Sequence, residues 1–171
     1  LNKVADFLTL GVDSAVEHNN PRKPHVELVF VIDLKKRKLY WTGKSYPTPE
    51  QTQGLIRVED LSSHFMKLND DRVLVLGCHD LNMFNRRNWK NTDGWRRSIK
   101  LEMENLLLNN TPSAILHHPH TTDTPLTWLN AWRRIEGMLP NTSYVSSFRY
   151  YNPEREVRRP LDDVLRATKK G

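Results

Sequence analysis

Ser113-Ala114-Ile115-Leu116-His117-His118-Pro119-His120-Thr121-Thr122-Asp123 is a short apolar run that ends abruptly in three histidines, two threonines and an acid. Arg72-Val73-Leu74-Val75-Leu76-Gly77-Cys78-His79-Asp80-Leu81-Asn82 has the same design. Both runs are short and rich in branched residues, which predicts buried strands. Each strand sheds titratable residues at its carboxyl end, so the two read as neighbouring walls of one site.

Helical spacing fills the chain between and after these strands. Trp95, Ile99, Met103 and Leu106 form one stripe, with Arg96, Arg97 and Lys100 outside it and Thr92 or Asp93 as the cap. Thr124-Pro125 opens a second helix with Trp128, Leu129, Trp132 and Ile135 inward, and Gly137 and Pro140 end it. A strand over 143–148 follows, then a terminal helix from Pro160 that buries Leu161, Val164 and Leu165.

Upstream, Val26 to Leu34 reads as a strand buried on both faces. Lys35-Lys36-Arg37-Lys38 turns it back into Leu39-Tyr40-Trp41-Thr42. Residues 43–54 read as a loop, and Leu55, Val58, Leu61 and Phe65 repeat at helical spacing. Residues 1–25 read as an N-terminal helix or linker. The whole predicts a single α/β domain over 1–171. Its architecture is a three-layer α/β/α sandwich with a mainly parallel sheet and an N-terminal antiparallel β-hairpin at one side. In such sheets ligands sit beyond the carboxyl ends of the strands.

The composition narrows the function classes. The chain has 171 residues, 27% of them charged and 37% apolar, which is a globular composition. No apolar run reaches the roughly 18 residues of a membrane span, and no basic start leads into an apolar leader. The one cysteine, Cys78, excludes an internal disulfide framework, and with these absences predicts a cytoplasmic protein. A formal net charge of +6 favours an anionic partner such as a nucleotide or nucleic acid.

Imidazole and carboxylate together suit a divalent metal, zinc or manganese. His118, His120 and Asp123 are the expected metal ligands, and His79, Asp80 and His118 the expected catalytic residues. Asn82, Arg86, Arg87 and Arg149 would hold an anionic substrate. These assignments predict a metal-assisted hydrolase of a phosphate-containing substrate. A metal-free alternative pairs Cys78 with His118 across the strands, with Asp123 orienting the imidazole. The bland counterpart is a cysteine packed as a small core residue. A third reading is a non-catalytic nucleotide-binding or protein-interaction module, a diverged hydrolase-like part of a larger assembly. There Trp89, Trp95, Tyr150 and Tyr151 would stack a base beside arginines.

Leu76-Gly77-Cys78-His79-Asp80 followed by Ile115-Leu116-His117-His118-Pro119 resembles two motifs of the calcineurin-like metallophosphoesterases, a strand ending Gly-Asn-His-Asp and a later strand ending His-His-Pro. The resemblance implies a phosphate-polarising acid at His79 and a metal ligand at His118. Cys78 stands where that motif has an asparagine ligand, and the family's Asp-x-His, Gly-Asp and Gly-His-x-His segments are absent. The run Val26–Gly43, ending Trp41-Thr42-Gly43, is similar to part of the competence-type metallo-β-lactamase-fold proteins. Lys44 stands at that family's metal-ligand aspartate, and its His-x-His-x-Asp-His motif is absent.

Overall fold

The computed structural model describes residues 4–14, 20, 22–86, 92, 94–119 and 125–146. It is a mixed α/β structure with two sheets. The first is antiparallel, in the order β1 (Phe7–Asp13), β2 (Glu27–Asp33), β3 (Lys38–Gly43). The second is mixed, in the order β4 (Phe65–Leu68), β5 (Asp71–Leu76), β6 (Ala114–His117), β7 (Ser143–Ser146). In it β4 and β5 are antiparallel, while β5, β6 and β7 run parallel. Helices α1 (Gly94–Asn110) and α2 (Pro125–Met138) are the crossovers between the parallel strands.

Alternation along β5 sets the layers. Val73 and Val75 point to one side and join Val29 and Val31 of β2 and Met66 and Leu68 of β4 in an inter-sheet core. Leu74 and Leu76 point to the other side and pack with Ile115, Met103, Leu107, Trp128, Ala131, Trp132 and Ile135. Each fully buried Val or Leu in these clusters stabilises the fold by about 1.5–3 kcal/mol. The layers are therefore sheet, sheet, helices. The expected second helical layer is replaced by the antiparallel sheet, and the parallel pairing is confined to β5–β7.

Three local expectations are corrected. The N-terminal segment is strand β1, paired along its whole length with β2. Its apolar residues Leu8, Leu10 and Val12 alternate, and their spacing to Val4 and Val16 imitated a helix. Strand β2 is buried on one face only: Glu27, Val29, Val31 and Asp33 are buried, while Leu28, Phe30 and Ile32 are half-buried. The stretch from Leu55 to Leu68 is no helix. Asp60 caps a short 3-10 turn at Leu61–His64, and Phe65–Leu68 then pairs with β5 through a two-residue turn at Asn69-Asp70. Asn69 has φ of 54°, the left-handed region that asparagine tolerates in hairpin turns.

The hairpin of β2 and β3 stands as expected. The buried carboxylate of Asp33 accepts the backbone N–H groups of Lys35 and Lys36, at 3.0 and 2.8 Å, and so shapes the turn. The expected helix from Pro160 lies outside the described residues.

Candidate active site

The parallel register places Leu76, His117 and Ser146 side by side at the carboxyl edge of the second sheet. The chain leaving β5 turns at once through Gly77, Cys78 and His79 into a 3-10 turn, Asp80–Phe84. Asp80 fixes that turn. It is fully buried, and its Oδ1 accepts the backbone N–H groups of Ser45 and Tyr46 at 2.9 and 2.8 Å. Its Oδ2 accepts the Gly77 N–H at 3.1 Å. Bonds from three backbone donors satisfy both of its oxygens and account for its burial. Asp80 therefore clamps the segment after β3 to the turn after β5.

That clamped segment begins with a buried lysine. Lys44 Nζ donates to both oxygens of Glu27 at 2.9 Å, and Gln51 Nε2 donates to Glu27 Oε1 at 2.7 Å. Both charges are nearly sealed from water, Lys44 2% and Glu27 6% exposed. Neither residue is assigned a role from sequence, where Lys44 figures only as the residue at a family's metal-ligand position. The signal was present in the hairpin: Leu28 pairs with Gly43, and one further step sets Glu27 opposite Lys44.

A cleft of about 370 Å³ opens where these elements meet. Gly11, Val12 and Asp13 of β1 and Glu27, Leu28 and Val29 of β2 form one wall. Gly77, Cys78, His118 and Pro119 form the other. His118 is half-buried, and burial lowers its pKa below the ordinary histidine value, so the ring is neutral at pH 7. Its backbone N–H closes on Leu76 O at 2.9 Å, which holds it beside Cys78.

His117 turns the opposite way. It is fully buried, with its ring edge-on to Trp128 at a centroid distance of 4.9 Å. Nε2 donates to the Cys78 carbonyl at 3.1 Å, and Nδ1 then accepts from the Ser146 hydroxyl at 3.2 Å. Burial pushes its pKa down to about 4, assisted by the neighbouring His118 and His79 and partly opposed by the Cys78 carbonyl.

The remaining expected site residues are dispersed. His79 does not line the cleft; its Nδ1 accepts from Asn82 Nδ2 at 2.9 Å. Arg86 reaches Glu104 of α1 at 3.4 Å, and Arg134 of α2 also donates to that carboxylate. Trp95 has Arg57 and Arg96 packed over its ring at 4.4 and 4.7 Å. Arg87, Trp89, His120, Asp123, Arg149, Tyr150 and Tyr151 lie outside the described residues. Among the described residues no three His, Cys, Asp or Glu side chains come together as a metal site, and no helix is long and apolar enough to cross a membrane.

No protein-family model and no curated protein matches the chain. A solved structure with a related shape is a mutant of the amidase from Nesterenkonia sp. AN1, showing the result of Michael addition of acrylamide at the active-site cysteine. The two share 12% sequence identity at a TM-score of 0.48, over 82% of this chain and 48% of that one. The chain thus spans about half the length of that protein.

The metal-assisted phosphoesterase expectation is corrected here. Within the site, both oxygens of Asp80 are committed to backbone N–H groups, and Arg86 is drawn to Glu104. The titratable side chains that share the cleft are Cys78, His118, Glu27 and Asp13.

Proposed function

We propose that this protein is a cysteine-dependent acyl hydrolase, cleaving an amide or related acyl bond with Cys78 as nucleophile. One observation carries the reading: Cys78, His118 and the Lys44-bound Glu27 converge on a single cleft at the carboxyl edge of the second sheet. A thiol needs a base to become a nucleophile, and a neutral imidazole on the neighbouring strand end is suited to that task.

In this mechanism His118 takes the thiol proton, and the Cys78 sulfur forms a bond to the substrate carbonyl carbon. The carbon–nitrogen bond then breaks. The amine leaves with the proton held by His118, and a thioester remains on Cys78. Water attacks the thioester, His118 takes its proton and returns it to sulfur, and the carboxylic acid departs. Glu27 of the cleft wall is paired behind it with the buried Lys44. Ordered charges of that kind can stabilise charge that develops on a reacting acyl group.

The test is hydrolysis of a panel of primary amides, anilides and thioesters, read as released amine, ammonia or thiol. Saturable turnover is expected for the wild type, with a loss of at least a hundredfold in Cys78→Ala and in His118→Ala, and with their thermal melts retained. Equal turnover in wild type and Cys78→Ala would refute the assignment.

A further inference from the structure

We infer that His117 is a positioning residue that sets the Cys78 turn through its hydrogen bond to the Cys78 carbonyl. The inference rests on the reading of Cys78 as nucleophile and adds a residue that does not touch substrate. His117 lies among Leu76, Trp128 and Trp132, a place where an apolar side chain would avoid the cost of burying a ring with two polar nitrogens. Both nitrogens are instead used. Ser146 at the end of β7 donates to Nδ1, which fixes the tautomer, and Nε2–H donates to the carbonyl just after β5. The resulting relay crosses the ends of three adjacent strands and finishes on the peptide that carries the cysteine.

The other side of the same turn is held from Asp80. Its carboxylate accepts the Gly77 N–H, and its backbone N–H donates to the Gly77 carbonyl at 3.3 Å. Asp80 fixes the peptide groups entering Cys78, and His117 fixes the one leaving it. With both in place the thiol has one backbone frame from which to face the cleft. Without His117 the exit peptide can rotate, and a small rotation there displaces the sulfur from His118 and from the bound acyl carbon.

Cys78 is the one cysteine of the chain, so alkylation by iodoacetamide, followed by intact mass, reads this thiol alone. Two variants separate positioning from packing. His117→Phe keeps the ring against Trp128 and Trp132 but removes the donor. His117→Gln loses the ring but carries an N–H that can reach the same carbonyl. The expected result is an alkylation rate about tenfold lower in His117→Phe, the factor that corresponds to one hydrogen bond. His117→Gln should recover most of the rate although it melts lower. Ser146→Ala, which frees the ring to change tautomer with little loss of packing, should lower the rate about threefold and serves if His117→Phe does not fold.

Rates that simply follow melting temperature across the variants would make His117 a packing residue and overturn the inference. The two readings fail separately. Amide turnover in the wild type without the Phe-against-Gln difference sinks the role of His117 alone. The Phe-against-Gln difference without turnover sinks the hydrolase and leaves His117 as the residue that sets the turn.

Discussion

Lowering the pH from 7.5 to 5 should destabilise this protein through His117. In the fold the imidazole is neutral with a pKa near 4, against 6.5 for an ordinary histidine. The unfolded chain therefore takes up a proton between about pH 6.5 and 4 that the folded chain refuses. Stability is flat above that window and falls through it as the pH drops, because protons favour the state that binds them. The difference of about 2.5 units is worth roughly 3 kcal/mol in full, and about 2 kcal/mol of it is lost by pH 5. Urea denaturation at half-unit steps, for wild type and His117→Phe, isolates this residue, since His118 and the carboxylates titrate in both. The variant begins less stable by about 1–3 kcal/mol at pH 7.5, having lost two buried hydrogen bonds. The gap should close by about 2 kcal/mol at pH 5. Two parallel curves would mean that His117 takes its proton inside the fold as readily as in the unfolded chain, and Nδ1 could then no longer accept from Ser146.

Lys44→Met leaves the Glu27 carboxylate buried without its cation, Gln51 still donating to it, and should cost about 3–5 kcal/mol in denaturant unfolding. Adding Glu27→Leu to it should recover most of that loss; a double variant as unstable as the single would show that shape, not charge, matters there. Gly43→Ala would place a methyl 2.7 Å from the Glu27 carbonyl and 2.9 Å from Leu28 Cδ2, and a loss of about 1–3 kcal/mol should appear as a lower melting temperature.

The helices and parallel strands were legible because their periods are unambiguous. Trp128, Trp132 and Ile135 repeat as a helix repeats, and Val73 to Leu76 are apolar on both faces because both faces are covered. Strand β1 was misread because Val4, Leu8, Val12 and Val16 fall at intervals of a helical turn, while the alternation of Leu8, Leu10 and Val12 extends over only three apolar residues. The hairpin at Asn69-Asp70 was hidden by the same accident upstream, where Leu61 and Phe65 stand one turn apart on opposite sides of a capped 3-10 turn. At the candidate site, β6 ends at His117, and His117 and His118 diverge as strand alternation requires. The cluster itself suggested metal chemistry because composition cannot show direction. Asp80 faces backbone donors, and Glu27 of the cleft wall takes its charged partner Lys44 from across the β2–β3 hairpin, which only the strand register reveals.

One carboxylate ties together amides that no ladder connects. Ser45, Tyr46 and Gly77 all donate to Asp80. Breaking any one of these bonds strains the other two, so the three N–H groups belong to one opening event. In deuterated solvent they should exchange together, with a single protection factor and a shared temperature dependence. The segment bearing Lys44 and the turn bearing Cys78 then breathe as a unit, and labelling at either one becomes a clock for both.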